Sequence, residues 1–141
     1  MPTIFTRIIE GELPGSFVWR DERAVAFMSI NPLATGHVLV VPAVEVDHWI
    51  DLDAELVAHL FEVARVIGRA QSKAFRCARV GLIVAGYEVP HTHLHVIPTT
   101  SMSQLNFANA ATGVDPAELE VAAEALRAEL RAAGRPEVTP P

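Results

Sequence analysis

The sequence predicts an α+β protein in which an antiparallel sheet has helices packed on one of its faces. Stretches rich in β-branched and aromatic residues, separated by turn residues, occupy residues 17–41 and 80–98. Each of these regions is followed by a long segment with apolar residues at helical spacing, over residues 53–75 and 115–133. Strands and amphipathic helices in this order favour one sheet with its helices on one side.

The first half of the chain begins with a short amphipathic helix, predicted over residues 3–10, in which Ile4 and Ile8 face inward and Phe5 and Ile9 are further candidates for that face. A glycine and proline cluster ends that helix, and a hairpin follows with strands over 17–21 and 24–30. Residues 37–41 form the next strand. Apart from its histidine, this strand is apolar on both faces, which is typical of a central strand.

Two long helices are predicted in the rest of the chain. Asp53 is a suitable N-cap for a helix that ends near residue 75, and Asp115 with Pro116 opens a second helix over 115–133. Between them lie strands over residues 80–85 and 91–98. A long polar loop over residues 99–113 precedes the last helix, and long loops in compact domains are often functional.

Three histidines alternate in the stretch HTHLHVIP, at His91, His93 and His95. Alternate residues of a strand point to the same face, so a strand here places three imidazoles in one row. A helix would turn residues two apart away from each other. A fourth histidine, His37, opens the apolar stretch GHVLVVP. The spacing therefore predicts one site built from histidines.

Such a row suits phosphoryl transfer. Neutral imidazole is a good nucleophile near neutral pH, and its neighbours can bind phosphoryl oxygens and exchange protons with the leaving group. A covalent histidine intermediate divides one difficult displacement into two easier steps. Spacing alone also allows a zinc site formed by His91 and His93 with His37 as third ligand.

The stretch AGYEVPHTHLHVIP, together with GHVLVVP upstream, resembles the histidine triad (HIT) family of nucleotide-binding hydrolases and transferases. The resemblance extends from IFTRIIEGELP near the N-terminus through the triad. It implies about five strands per subunit and a homodimer in which two sheets join edge to edge. It also implies a hydrolase or phosphoramidase that acts at the α-phosphate of a purine nucleoside 5′-monophosphate conjugate.

Residue roles follow from the same resemblance. His93 takes the position of the nucleophile that forms a nucleotidyl-histidine intermediate. His91 and His95 orient it and contact the phosphate, and His37 supports the row by hydrogen bonding. The implied mechanism needs no metal and no cofactor.

Several positions depart from the family pattern. Ser29 occupies the position of an acid that holds the ribose hydroxyls, and residues 80–82 lack the usual asparagine. Tyr87 replaces a glutamine that assists at the leaving group. Ser29, Ile30, Tyr87 and Glu88 are predicted to bind the substrate. These departures keep open an alternative function, a nucleotide-binding or regulatory protein of low activity.

The N-terminal helix carries a further departure. Many bacterial members of the family have two cysteines here, three residues apart, as half of a structural zinc site. Thr3 and Thr6 occupy those positions in this chain. The sequence therefore predicts no such zinc site.

Composition limits the remaining possibilities. The chain has 141 residues, half of them hydrophobic, a net charge of −6 and a single cysteine, Cys77. The acidic charge argues against a general nucleic-acid binder, and Cys77 alone excludes an internal disulfide. Without a signal peptide or an apolar run of membrane-spanning length, a cytoplasmic protein with no membrane partner is expected. One domain over 1–134 is predicted, with a core over 3–110 and a flexible tail over 135–141.

Overall fold

The computed structural model describes residues 1–139 and contains a five-stranded antiparallel sheet. The strands are β1 (Phe17–Arg20), β2 (Ala24–Met28), β3 (Val38–Pro42), β4 (Arg79–Ile83) and β5 (Leu94–Thr99). Their order across the sheet is β1-β2-β3-β5-β4, so β3 is central while β1 and β4 form the edges. The strand that follows His37 and the strand that contains His95 are therefore neighbours.

Three helices accompany the sheet: α1 (Ile4–Ile9), α2 (Ala54–Ala74) and α3 (Pro116–Ala132). The Asp53 side chain accepts a hydrogen bond from the Leu56 amide, and Asp115 accepts one from the Ala117 amide. These contacts satisfy amides that the first turn of a helix leaves without partners. The predicted starts of both long helices are confirmed.

The larger core lies between the sheet and helices α2 and α3, as the sequence predicts. It contains alternate strand residues such as Val38, Val40, Leu94 and Val96. Gly68 of α2 lies close to Val80, so a Cβ there would be in van der Waals contact with that side chain.

The predicted α+β fold, an antiparallel sheet of five strands with α2 and α3 packed on one face, is confirmed, and the short helix α1 lies on the opposite face. Its Phe5 packs with Phe27 and Leu39 in a second, smaller core. Phe5 is buried while Ile4 is exposed, which reverses the inward orientation predicted for Ile4. The Thr3 side chain caps α1, and the helix rotation fixed by that start turns Phe5 toward the sheet.

Residues 135–139, for which the sequence predicts a flexible tail, lie beside edge strand β1. The Arg20 amide donates to the Glu137 carbonyl oxygen at 3.0 Å, and the Thr139 hydroxyl donates to the Phe17 carbonyl oxygen at 2.6 Å. Val138 packs against the larger core. The last two positions of the predicted tail, 140 and 141, lie outside the described residues.

Across residues 1–139, none of the helices combines the length and the apolar character needed to cross a bilayer.

Candidate active site

All four histidines singled out in the sequence come together on the α1 side of the sheet. His37 precedes β3 and His95 lies in β5, where it is opposite Leu39. The Nε2 atom of His37 is 3.0 Å from Nδ1 of His95, and the rings of His93 and His95 are 4.8 Å apart between centroids. All four imidazoles are buried.

The strand predicted over residues 91–98 begins later, at Leu94, so only His95 lies within it. In residues 91–93, the imidazole N–H groups donate to backbone carbonyl oxygens. His91 Nε2 donates to the Pro42 carbonyl oxygen at 2.9 Å, and His93 Nδ1 donates to the His91 carbonyl oxygen at 2.7 Å. These two carbonyl oxygens therefore accept hydrogen bonds from side chains and not from the backbone amides of a neighbouring strand. The histidine rings still lie next to one another.

The hydrogen-bond partners define the tautomers of His37 and His95. The Leu33 amide donates to Nδ1 of His37 at 3.0 Å, so the proton of a neutral His37 lies on Nε2. That Nε2–H donates to Nδ1 of His95, which places the His95 proton on Nε2. Burial lowers the pKa of His37 to about 3 and the pKa of His95 to about 4, with nearby histidines adding to both effects. Both rings are therefore neutral at physiological pH.

His93 is held in the orientation that a nucleophile requires. Its Nδ1–H donates to the carbonyl oxygen of His91, which leaves Nε2 as the nitrogen whose lone pair can react. Nε2 lies 3.2 Å from Oε1 of Glu88, and His95 Nε2 lies 3.2 Å from the same oxygen. The His93 side chain is only 1% exposed, whereas that of Glu88 is 48% exposed. The Glu88 carboxylate thus covers His93 Nε2 from the solvent side.

Opposing influences act on Glu88. Partial burial tends to raise the pKa of its carboxyl group, but hydrogen bonds from its own backbone amide and from His93, with the nearby His93 and His95, lower it overall. The ionised form is favoured, as expected for an oxygen that accepts two imidazole contacts.

His91 is fixed by helix α1. The Thr3 hydroxyl donates to His91 Nδ1 at 2.8 Å, since Nε2 carries the proton that binds Pro42. The Thr3 amide and the Thr6 hydroxyl both donate to Oε1 of Glu45, at 2.7 and 2.6 Å. These bonds hold the pKa of Glu45 below its usual range. No local pattern in the sequence indicates this cluster, because it joins residues far apart in the chain.

The side chains of the other residues predicted to bind substrate form no hydrogen bond with the histidine side chains. Ser29 is buried at the end of β2, and its Oγ accepts a hydrogen bond from the Asn31 amide at 3.3 Å. Its backbone amide donates to the carbonyl oxygen of His37. Ile30 is 66% and Tyr87 98% exposed, so their roles toward a ligand stay predictions.

Two aromatic side chains missed by the sequence analysis lie against the row. Phe5 meets the His93 ring edge-on at 5.0 Å, and Phe107, carried by the loop over 99–113, meets the His95 ring at 4.8 Å. Phe107 is partly exposed, so it places an apolar surface at the rim of the site. The length of the loop was the available signal, because it indicated function without indicating which residue reaches the histidines.

Gln71 of α2 supports the row from beneath the sheet. Its Nε2 donates to the carbonyl oxygens of Gly36 and Val96, at 2.9 and 2.8 Å. These carbonyls belong to the neighbours of His37 and His95, so the amide fixes the spacing of the two strands. A glutamine on the apolar stripe of α2 was the sequence signal for such a role.

The donor sets do not fit a zinc ion. In the part of the chain that the structure describes, Glu88, His93 and His95 offer ligand atoms within 4.8 Å of one another. Because His37 donates its Nε2–H to Nδ1 of His95, the proton of His95 lies on Nε2, and this nitrogen has no lone pair for a metal. Both ring nitrogens of His91 are also occupied, one by the Thr3 hydroxyl and the other by the Pro42 carbonyl oxygen. In the N-terminal helix, Thr3 and Thr6 offer hydroxyl groups where a structural zinc site would have cysteine thiolates. The zinc alternative built on His91 and His93 with His37 is therefore not supported.

Comparison with known proteins agrees with this arrangement. The model of the HIT domain matches residues 10–102, more than half of the chain. An uncharacterized HIT-like protein of Saccharolobus solfataricus is 32% identical over 103 residues, which cover 70% of this chain and 74% of the relative. The crystal structure of a zinc-bound histidine triad family protein from Mycobacterium smegmatis superimposes with a TM-score of 0.79 at 27% identity, covering 93% of this chain and 94% of that one. A HIT family hydrolase from Legionella pneumophila gives 0.61 at 27% identity, covering 72% and 96%. The fold, the four histidines and these similarities together establish that the chain belongs to the HIT family.

Proposed function

We propose that this protein is a nucleotide hydrolase of the HIT type, which cleaves a purine nucleoside 5′-monophosphate from an amine or another leaving group. The observation that carries the proposal is the state of His93. Its Nδ1–H donates to a backbone carbonyl oxygen, and the other nitrogen of the same ring, Nε2, faces the partly exposed Glu88 side chain.

The chemistry follows from the hydrogen bonds of the free protein. His93 Nε2 attacks the α-phosphorus, and the His91 carbonyl stabilises the positive charge that develops on the ring. His95 presents an Nε2–H that can donate to a phosphoryl oxygen, because His37 fills its other nitrogen. Water then hydrolyses the nucleotidyl-histidine and regenerates the imidazole.

Relatives support the reaction class. The Legionella protein is described as a HIT family hydrolase. Phosphoramidase activity, and a purine nucleotide or nucleotide conjugate as the bound partner, rest on the triad resemblance and on the geometry of His93. A cytoplasmic location stays a prediction from the sequence.

A second candidate is a nucleotide-binding or regulatory protein of low turnover. The cover that Glu88 forms over His93 favours it, since a substrate phosphate has to displace a carboxylate. The Ser29 hydroxyl, which is engaged with the Asn31 amide, also offers a weaker ribose contact than an acid.

Turnover of adenosine 5′-phosphoramidate by wild-type protein, His93→Ala and His48→Ala distinguishes these functions. His48 is an exposed residue outside the site and serves as the matched control. We expect His93→Ala to lower kcat/KM by at least about a thousandfold, as loss of a covalent nucleophile does. His48→Ala should behave like wild type. Wild-type turnover by His93→Ala would contradict the nucleophile, and AMP binding without turnover by any of the three would favour the second function.

We further propose that the protein is a homodimer joined through β4. The two edges of the sheet differ, because residues 137–139 lie beside β1 whereas β4 has no strand on its outer side within the described chain. Leu82 of β4 and Phe61 of α2 are exposed large apolar residues beside a groove of about 480 Å³. An uncovered apolar edge strand invites pairing with a second copy.

A further inference from the structure

Glu88 lies on the solvent side of the histidine row. Its side chain contacts the two reactive imidazoles, with Oε1 at 3.2 Å from Nε2 of both His93 and His95. It is the exposed outer member of that group, whereas both rings are buried. A carboxylate held in this position is next to the atom that reacts.

One proton lies between His93 and Glu88. The carbonyl oxygen of His91 cannot donate, so Nδ1 of His93 must carry a proton to bind it. A neutral His93 then has a lone pair at Nε2, and that lone pair faces the Glu88 oxygen. Two acceptors do not attract each other, so the contact needs a proton on one of them. The contact between His95 and Glu88 needs no further proton, because His95 donates its own Nε2–H to the carboxylate.

We propose that Glu88 is a catalytic residue that carries this proton from His93 to the departing group, and then removes a proton from the attacking water. The inference rests on the proposed function and deepens it. The same side chain both uncovers the nucleophile and supplies the proton that the reaction requires.

In the first half of the reaction, the incoming phosphate displaces Glu88 from His93. The proton that the two groups share leaves with Glu88, so the lone pair of His93 Nε2 becomes free. The bond from Nε2 to phosphorus forms as the bond to the leaving group breaks, and the electron pair goes to the leaving group. That group takes the Glu88 proton and departs neutral, which leaves an ionised carboxylate beside nucleotidyl-His93. An amine or alkoxide needs this proton in order to leave, and general acid catalysis of this kind contributes about 10²- to 10⁴-fold.

In the second half, the carboxylate takes one proton from water as the water oxygen bonds to phosphorus. The bond between phosphorus and Nε2 breaks, and its electron pair returns to His93. The nucleoside monophosphate leaves, and the proton on Glu88 is again shared with Nε2. The sum of both halves is hydrolysis of one substrate molecule by one water.

A simple cover is the competing role for Glu88. A cover obstructs every substrate equally, so its removal accelerates all of them. A proton carrier matters most for leaving groups that depart poorly as anions and least for those that depart well. The dependence on the leaving group therefore separates the two roles.

Single-turnover experiments at saturating substrate test the proposal with Glu88→Gln and Glu88→Ala. Adenosine 5′-phosphoramidate has a leaving group that needs a proton, while the p-nitrophenyl ester of AMP releases a stable anion. We expect both variants to slow amine release by about a hundredfold or more, and to release p-nitrophenolate at close to the wild-type rate. Because the second half also lacks its base, the nucleotidyl-His93 adduct formed from the ester should accumulate and be visible by mass spectrometry.

Glu22→Gln, an exposed carboxylate in the β1–β2 turn, is the matched control and should leave both reactions unchanged. Glu88→Asp, which keeps the carboxyl group, should retain part of the amine reaction. Equal slowing of both substrates, or acceleration of both, would overturn the proton-carrier role. If wild-type protein cleaves neither substrate and forms no adduct, the proposed function fails and the inference fails with it. If wild-type protein cleaves both substrates but the Glu88 variants do not show the expected difference between them, the inference about Glu88 fails and the proposed function stands.

Discussion

At the scale of single residues, the four histidines differ in their protons although they share one residue type. His37 receives a backbone N–H and passes its own proton toward His95, whereas His93 donates to a backbone carbonyl. The first arrangement leaves an N–H on His95 Nε2 for the proposed phosphate contact, and the second leaves His93 Nε2 as the proposed nucleophilic nitrogen. Which imidazole plays which part is determined by backbone groups at fixed distances.

Burial of these rings predicts how stability depends on pH. The pKa is held at about 3 for His37 and about 4 for His95, compared with the ordinary value of 6.5 for an exposed ring. Between these values the unfolded chain binds more protons, so the free energy of unfolding falls as the pH falls from about 6.5 toward 4. Above about 6.5 both states are neutral and this contribution is fully present. Each ring adds at most about 1.4 kcal/mol per pH unit.

Urea unfolding at several pH values between about 4.5 and 7.5 measures this slope. His37→Asn should show a shallower slope than wild type, because one depressed histidine has been removed. His48→Asn replaces an exposed histidine and should keep the wild-type slope. Identical slopes in all three proteins would contradict a neutral, buried His37.

At the scale of elements, helix α1 is attached to the triad through Thr3. Replacing Thr3 with valine removes the hydroxyl that donates to Nδ1 of His91 and leaves a buried acceptor without a partner. Such a loss costs about 1–3 kcal/mol of unfolding free energy. Thr100→Val, at an exposed position, should change stability by less than about 0.5 kcal/mol. Equal midpoints of urea unfolding for the two variants would show that α1 is not held by this contact.

The elements also show where sequence patterns succeed and where they do not. Periodicity and capping residues identified α2 and α3, because those signals are local. The start of β5 at Leu94 and the face occupied by α1 were not predicted. Both depend on contacts between distant parts of the chain, such as His91 with Pro42 and Thr3 with His91. Local hydrophobic patterns carry no information about such pairs.

At the scale of the whole molecule, the outer edge of β4, which has no strand beside it within residues 1–139, predicts a dimer in solution. Light scattering at micromolar concentration should give twice the chain mass of 15.3 kDa. Leu82→Lys places a charge on the exposed edge strand and should shift the protein toward monomer. Val121→Lys, on the exposed face of α3, should leave the mass unchanged. A single-chain mass for the wild-type protein across a wide range of dilution would contradict the dimer.

Local sequence patterns also predicted part of the candidate site and left out the part that depends on contacts between distant residues. Alternation identified His91, His93 and His95, and the resemblance added His37. The contact of Glu88 with two imidazoles was not foreseen, although Glu88 was named as a substrate-binding residue. Glu88 lies in a bend over residues 87–91 that follows Gly86, whose positive φ of 93° is a backbone conformation that favours glycine.

The most direct test of the central claim is mass spectrometry of the intact protein. Wild-type protein is mixed with adenosine 5′-phosphoramidate and quenched within the first turnover in alkaline denaturant, which preserves a bond between phosphorus and nitrogen. We predict a mass gain of one adenylyl group, located by peptide mapping at His93, present in His48→Ala and absent in His93→Ala. Turnover by the wild type without any such adduct, or an adduct at another residue, would contradict covalent catalysis by His93.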